Sequence, residues 1–240
     1  MLVENWMHTD PVTVEPRATV QDAFNRLQEQ GASQAPVMQK GSLVGMFTDR
    51  DAQEALLRFL GRARKKSAST VRPRPPKVQD VMRREFLTLT PQHTVEEAAL
   101  LFLENSVSWA PVVEESGAVA GIFTQEDMLR AVVAMTGAAH RSVQFGLLVD
   151  DTPHAIQEAT EILHKNGGRV LSIMSTREGA PFGSWLVYIR IQSLDKDLLE
   201  TCKCALENKT DLLYVLDQRE SARAFSWGGK DYTIFKEEEF

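Results

Sequence analysis

Two stretches of this chain repeat one another at a constant offset. Trp6-Met7 matches Val81-Met82, and Val12-Thr13-Val14 matches Leu87-Thr88-Leu89. Pro16 matches Pro91, Thr19-Val20 matches Thr94-Val95, and Ala35-Pro36-Val37 matches Ala110-Pro111-Val112. All stand 75 residues apart (82 − 7). After one inserted residue, Gly45-Met46-Phe47-Thr48-Asp49-Arg50-Asp51 returns as Gly121-Ile122-Phe123-Thr124-Gln125-Glu126-Asp127, at an offset of 76 (121 − 45). The match covers periodic segments and turn residues alike, so both copies must build the same unit.

Each unit reads as β-α-β-β-α. A short strand at Val12 to Val14 alternates apolar and polar residues. The next helix opens on Thr19, with Asp22 at the third helical position, the pattern of a capping box. Val20, Ala23, Phe24 and Leu27 form one apolar stripe, and Gly31 can end the helix. Thr94 and Glu97, with Val95, Ala98, Ala99 and Phe102, repeat this arrangement. Two strands follow, Ala35 to Met38 and Leu43 to Phe47, turning at Lys40-Gly41. The last helix starts at Thr48 and is expected to fray near Gly61. A unit of this size buries only a modest share of its surface. Two of them are therefore expected to pack face to face as a pseudo-twofold pair.

Bulk properties narrow the function. The chain has 240 residues, a formal net charge of −6 and a sequence pI near 5.5, which gives no general reason to bind nucleic acid. Its two cysteines, Cys202 and Cys204, are too close for an ordinary disulfide, so a reducing, cytoplasmic setting is expected. No leader and no apolar run long enough for a membrane span are visible.

The residues from Gly45 to Asp51 and from Gly121 to Asp127, with the two Ala-Pro-Val strands, resemble a tandem pair of CBS domains, the Bateman module. The resemblance covers residues 1 to 137. It implies binding of an adenosine derivative: AMP, ADP, ATP or S-adenosylmethionine. It places ribose on Asp51 and Asp127, with Thr48 and Thr124 beside it. Thr13 and Thr88 would lie toward the adenine, and Pro36 and Pro111 on the adjoining strands. A carboxylate can accept from two vicinal hydroxyls, and a helix start offers N–H groups to an anion. Thr-x-x-Asp is also a capping box in itself, and spacing alone favours that reading.

The copies differ beside the carboxylate. Arg50 precedes Asp51 and can meet a phosphate, whereas Glu126 precedes Asp127 and would repel one. The expectation is asymmetric: the first site tolerates phosphates, and the second is empty or takes a less anionic adenosine ligand. From Arg58 to Lys77 there are eight Lys or Arg and no Asp or Glu, broken by Ser67-Ala68-Ser69 and ended by prolines. This reads as a solvated linker, with a flap that closes over a triphosphate or meets an acidic partner as the alternative.

After Gly137 the order becomes β-α-β-β-α-β. Strands are expected at Ser142–Val149, Val170–Met174, Trp185–Ile191 and Leu212–Leu216, with a helix after Asp150-Asp151-Thr152-Pro153 and another at Leu198–Leu206. The segment resembles an ACT domain, a module that senses amino acids and pairs with a second copy. The resemblance implies an effector site around Asp151, Thr152, His154 and Gly168. His154 stands where that family commonly has Gly, and an exposed helix-start histidine is the simpler account of it. The whole order also resembles acetoin-utilisation regulatory proteins.

The overall expectation is an α+β chain. Residues 1–62 and 78–137 form CBS units joined by a linker at 63–77. Residues 141–217 form a ferredoxin-like ACT domain, and 218–240 a hairpin around Gly228-Gly229 with an acidic tail. The five histidines lack metal-ligand spacing, and Cys202-x-Cys204 does not share a helix face. A non-enzymatic homodimeric sensor with an adenosine nucleotide as regulatory ligand, no cofactor and an unidentified protein target follows. The alternatives are a ligand-free dimerisation scaffold and a nucleotide-acting enzyme.

Overall fold

A computed structural model describes residues 1–65, 74–192, 196–218, 224–227 and 230–233. The chain divides into two compact units, Met1–Ala131 and Val132–Phe240. Part of the basic linker, the Gly228-Gly229 turn and the acidic tail at Glu237–Glu239 lie outside the described residues.

The first unit holds both repeats. The first comprises α1 (Val20–Glu29), β1 (Gln34–Gln39), β2 (Ser42–Thr48) and α2 (Asp49–Lys65). The second comprises α3 (Val95–Asn105), β3 (Trp109–Val113) and β4 (Val119–Thr124), and ends in α4 (Gln125–Thr136), whose last five residues count with the second unit. The capping signals act as their chemistry requires. Asp22 N–H donates to Thr19 Oγ1 at 3.1 Å, and Glu97 N–H donates to Thr94 Oγ1 at the same distance. Each β pair is an antiparallel hairpin, with Ala35 opposite Phe47 and Ala110 opposite Phe123. Lys40 and Gly41 both take positive φ (51° and 83°), the geometry of a tight two-residue hairpin turn.

Two expectations need correction. The leading strand of each repeat is reduced to one parallel bridge, Val14 with Val37 and Leu89 with Val112, because the chain leaves the hairpin edge after a single pair. Helix α2 does not fray near Gly61 but continues to Lys65. One glycine costs a helix only about 1 kcal/mol, which the residues around it can offset.

Each core is completed by the leading segment of the other repeat. Val3 is fully buried with Leu89, Val95, Phe102 and Phe123 of the second repeat. Val78 is fully buried with Val20, Leu27 and Phe47 of the first. The backbone follows the same exchange. Val3 N–H donates to the His93 carbonyl and Val95 N–H to the Met1 carbonyl, both at 2.8 Å. Val20 N–H donates to the Pro76 carbonyl at 2.9 Å, and Val78 N–H to the Ala18 carbonyl at 3.0 Å. Burying one such valine stabilises by about 1.5–3 kcal/mol. Neither small repeat closes its core alone.

The second unit contains β5 (Val143–Asp150), α5 (Ala155–Lys165), β6 (Arg169–Thr176), β7 (Ser184–Gln192), α6 (Lys196–Glu207), β8 (Asp211–Asp217), β9 (Ala224–Trp227) and β10 (Lys230–Thr233). Its sheet order is β10-β9-β8-β5-β7-β6. The stretch β8-β5-β7-β6 is the order of a split β-α-β-β-α-β unit, and β9 and β10, paired antiparallel, extend one side. Phe145, Leu147, Val187, Ile189 and Ile191 pack with Ala159 and Leu163 of α5 and Cys202 and Leu206 of α6. Alternation turns Gln144, Tyr188 and Arg190 to the other face. There the buried Arg190 donates from Nη1 to Ser142 Oγ (3.0 Å) and Gln218 Oε1 (2.6 Å), and from Nη2 to Gln144 Oε1. Burial lowers its pKa from the ordinary arginine value.

Candidate functional site

The strand-to-helix junctions stand where the repeats cross. Met46 and Arg83 exchange backbone bonds, N–H to carbonyl, at 2.9 and 2.8 Å. His8 and Ile122 do the same at 2.9 and 3.0 Å. These contacts are equivalent, since Arg83 follows His8 by 75 (83 − 8) and Ile122 follows Met46 by 76 (122 − 46). The signature glycines make the approach possible. A Cβ on Gly45 would lie 2.9 Å from the Arg83 carbonyl oxygen, and one on Gly121 would lie 2.4 Å from that of His8.

Both Thr-x-x-Asp pairs cap their helices. Asp51 N–H donates to Thr48 Oγ1 at 3.1 Å, and the Thr48 hydroxyl donates to Asp51 Oδ2 at 2.6 Å. In the second repeat the corresponding distances are 3.2 and 2.7 Å, and Thr124 N–H also donates to Asp127 Oδ2 at 2.9 Å. Capping therefore uses one oxygen of each carboxylate. The other oxygen meets the opposite repeat. Arg83 Nη2 donates to Asp51 Oδ1 at 3.3 Å, and His8 Nε2 lies 3.2 Å from Asp127 Oδ1. Asp127 also accepts from Arg130 Nη2 at 2.9 Å on that same oxygen.

Two clefts adjoin the first junction. One of about 480 Å³ is lined by Thr48, Arg50 and Arg83, with Gln34, Phe86 and Trp109 on its other walls. The other, about 670 Å³, is lined by Asp51, Glu54, Arg58, Arg74 and Asp80. Both sizes suit a small ligand. Asp51 is thus hydrogen-bonded to two residues of the first cleft while itself facing the second.

The remaining sequence candidates are placed differently. Pro36 and Pro111 are buried on β1 and β3, and their carbonyls accept from Val14 N–H (3.1 Å) and Leu89 N–H (3.0 Å). Thr13 is half-buried and Thr88 exposed, and neither lines the clefts beside Thr48. Sequence reasoning missed His8, Arg83 and Arg130. His8 and Arg83 occupy equivalent places in the two repeats, a signal present in the offset.

The four residues expected as an effector site in the second unit have these surroundings. Asp151 accepts from Arg177 Nη2 at 2.6 Å and Trp185 Nε1 at 2.7 Å, and Arg177 stacks over Trp185 at 4.4 Å. Thr152 lines a cleft of about 380 Å³ with Asp150, Glu158 and Lys209. His154 takes a φ of 79° at the helix start, a conformation that favours glycine. Gly168 serves packing, because a Cβ there would stand 2.9 Å from the Leu163 carbonyl oxygen.

Among the described residues, no group of three or more His, Cys, Asp or Glu could hold a metal, and no helix is long and apolar enough to cross a membrane.

Comparison with known proteins bears on the first unit. The CBS domain family model matches residues 3–58 and 78–134. Over 131 residues the chain is 33% identical to the A-adding tRNA nucleotidyltransferase of Aquifex aeolicus, covering 54% of this chain and 14% of that enzyme. Over 148 residues it is 27% identical to the CBS domain-containing protein YhcV of Bacillus subtilis, covering 59% of this chain and 97% of YhcV. Among solved structures it is similar to CBSX2 of Arabidopsis thaliana in complex with AMP, at 27% identity and a TM-score of 0.46, covering 55% of this chain and 96% of that one. The chain spans only a small part of the nucleotidyltransferase.

Proposed function

We propose, from the match of residues 3–58 and 78–134 to the CBS domain family model, that the first unit is a tandem CBS pair acting as a regulatory sensor of an adenosine-type ligand: AMP, ADP, ATP or S-adenosylmethionine. The observation that carries the proposal is the state of Asp51. One of its oxygens is held by Thr48, the other faces only the long Arg83 contact, and its side chain keeps 16% exposure on the wall of the second cleft, bonded to two residues of the first. In this reading Asp51 accepts from a ribose diol, Trp109 and Phe86 flank the base, and Arg50 and Arg83 meet phosphate. Arg83 then exchanges a carboxylate for a phosphate, and that exchange alters a contact between the repeats. A regulatory signal needs such a difference in affinity between two arrangements.

The second unit is read as an ACT-type effector or dimerisation module, supported by its strand order alone. A cytoplasmic setting and a homodimer are part of the same reading. The homodimer is supported by the exposed leucines three apart on α2 (Leu57, Leu60) and α3 (Leu100, Leu103), apolar surface that a second copy would cover.

Calorimetry with the four ligands, on wild type and Asp51→Ala, tests the proposal. At least one ligand binds, and the substitution weakens it tenfold or more. Absence of heat with all four favours the ligand-free scaffold. Turnover of any of them, seen as product by chromatography, favours an enzyme.

A further inference from the structure

The two repeats carry the same ion pair with its polarity reversed. In α2, Arg50 Nε stands 3.5 Å from Glu54 Oε1. In α4, Arg130 Nη2 stands 3.6 Å from Glu126 Oε1. The offset of 76 equates Arg50 with Glu126 (126 − 50) and Glu54 with Arg130 (130 − 54).

The reversal matters because the second member of each pair lies three residues beyond the signature carboxylate, on the same helix face. In α4 that residue is a cation. Arg130 donates to Asp127 Oδ1 at 2.9 Å, with His8 on the same oxygen at 3.2 Å. Thr124 holds the other oxygen through its N–H and its hydroxyl. A carboxylate offers about four acceptor sites: Thr124 and Arg130 take three of them, His8 stands against the oxygen that Arg130 meets, and the Asp127 side chain is 0% exposed. In α2 the residue is an anion, and it turns instead to Arg50 and to Arg58, whose Nη2 stands 3.4 Å from Glu54 Oε2. Among the described residues Asp51 meets only the Thr48 hydroxyl and Arg83 through its side chain. Two acceptor sites stay open, the number a vicinal diol requires.

We infer that Glu54 and Arg130 are the specificity-determining residues of the pair. Arg130, with His8, seals the second carboxylate from within the chain. Glu54 leaves the first free to hold a diol, so one ligand binds per chain, at Asp51. The inference rests on the adenosine-ligand reading for its stoichiometry and goes beyond it in naming what selects the site.

Two measurements on the full chain test it. The first is calorimetry with AMP, ATP and S-adenosylmethionine. Wild type saturates at one ligand per chain, Glu54→Arg binds at least tenfold more weakly, and His8→Gln with Arg130→Gln saturates at two. The second needs no ligand: carbodiimide-driven amidation of carboxylates in the native protein, located by mass spectrometry. In wild type Asp51 is modified and Asp127 protected, and the His8→Gln/Arg130→Gln chain loses that protection. Two ligands per wild-type chain would overturn the inference, as would Asp127 reacting as fast as Asp51. So would protection that survives in a double variant with unchanged circular dichroism. If no ligand gives heat, the adenosine reading fails, while labelling still decides whether Arg130 and His8 seal Asp127. The wild-type labelling arm requires no variant to fold.

Discussion

Arg83 Nη2 meets Asp51 Oδ1 at 3.3 Å from the opposite repeat. This contact joins the carboxylate proposed for ribose to the guanidinium proposed for phosphate. Its stabilising value is small, because the Arg83 side chain is 59% exposed and such pairs contribute about 0–1 kcal/mol. Arg83→Ala is therefore expected to lower stability by less than about 1 kcal/mol. The same change is expected to weaken ATP more than adenosine, and calorimetry with the two ligands separates the effects.

The signature glycines are expected to be structural. Gly121→Ala places a Cβ 2.4 Å from the His8 carbonyl oxygen, whereas Gly45→Ala places one 2.8 Å from the movable Met82 Sδ and 2.9 Å from the Arg83 carbonyl oxygen. Overpacking of this kind costs about 1–3 kcal/mol. Denaturant unfolding should show a larger loss for Gly121→Ala than for Gly45→Ala, with no change in slope.

Arg130→Met leaves the buried Asp127 carboxylate without the cation that meets it from its own helix. Breaking a fully buried pair costs roughly 3–5 kcal/mol. Arg130 itself is 52% exposed, so water replaces part of its contribution and a loss of about 1–2 kcal/mol is expected. Glu54→Met, in the equivalent place on α2, is expected to change stability by less than about 0.5 kcal/mol. Urea midpoints of the two variants check this contrast.

Glu97 gives the second repeat a pH-dependent cap. Backbone and side-chain hydrogen bonds from Thr94, followed by nearby His93, hold its pKa below the ordinary 4.5. The carboxylate form is the one favoured by folding. Its contribution is present above pH 4.5 and is lost as pH falls through the lower folded value. The advantage of wild type over Glu97→Gln in thermal unfolding should exist at neutral pH and vanish in acid.

His154→Gly is expected to stabilise the second unit. The backbone there has a φ of 79°, and the histidine makes no side-chain cap bond. Relieving a left-handed non-glycine residue is worth about 1 kcal/mol. A rise in the thermal midpoint checks it, and an unchanged or lower one refutes it.

Local chemistry was legible in the residues themselves. Thr19, Thr94, Thr48 and Thr124 cap the helices their spacing predicted, because a cap joins groups three residues apart and needs no distant partner. The 75-residue offset likewise determined that two like units exist, and apolar alternation located the strands of the second unit.

Only the tertiary structure decided how the units share their parts. Val3 closes the core around Phe123, and Val78 closes the one around Phe47. Arg83 and His8 reach carboxylates that periodicity does not connect to them. Hydrophobic periodicity tells which face of an element is buried but not which copy of the repeat buries it. The same Thr-x-x-Asp therefore has different partners in each copy: its own helix supplies Arg130 to Asp127, while packing supplies His8 to Asp127 and Arg83 to Asp51.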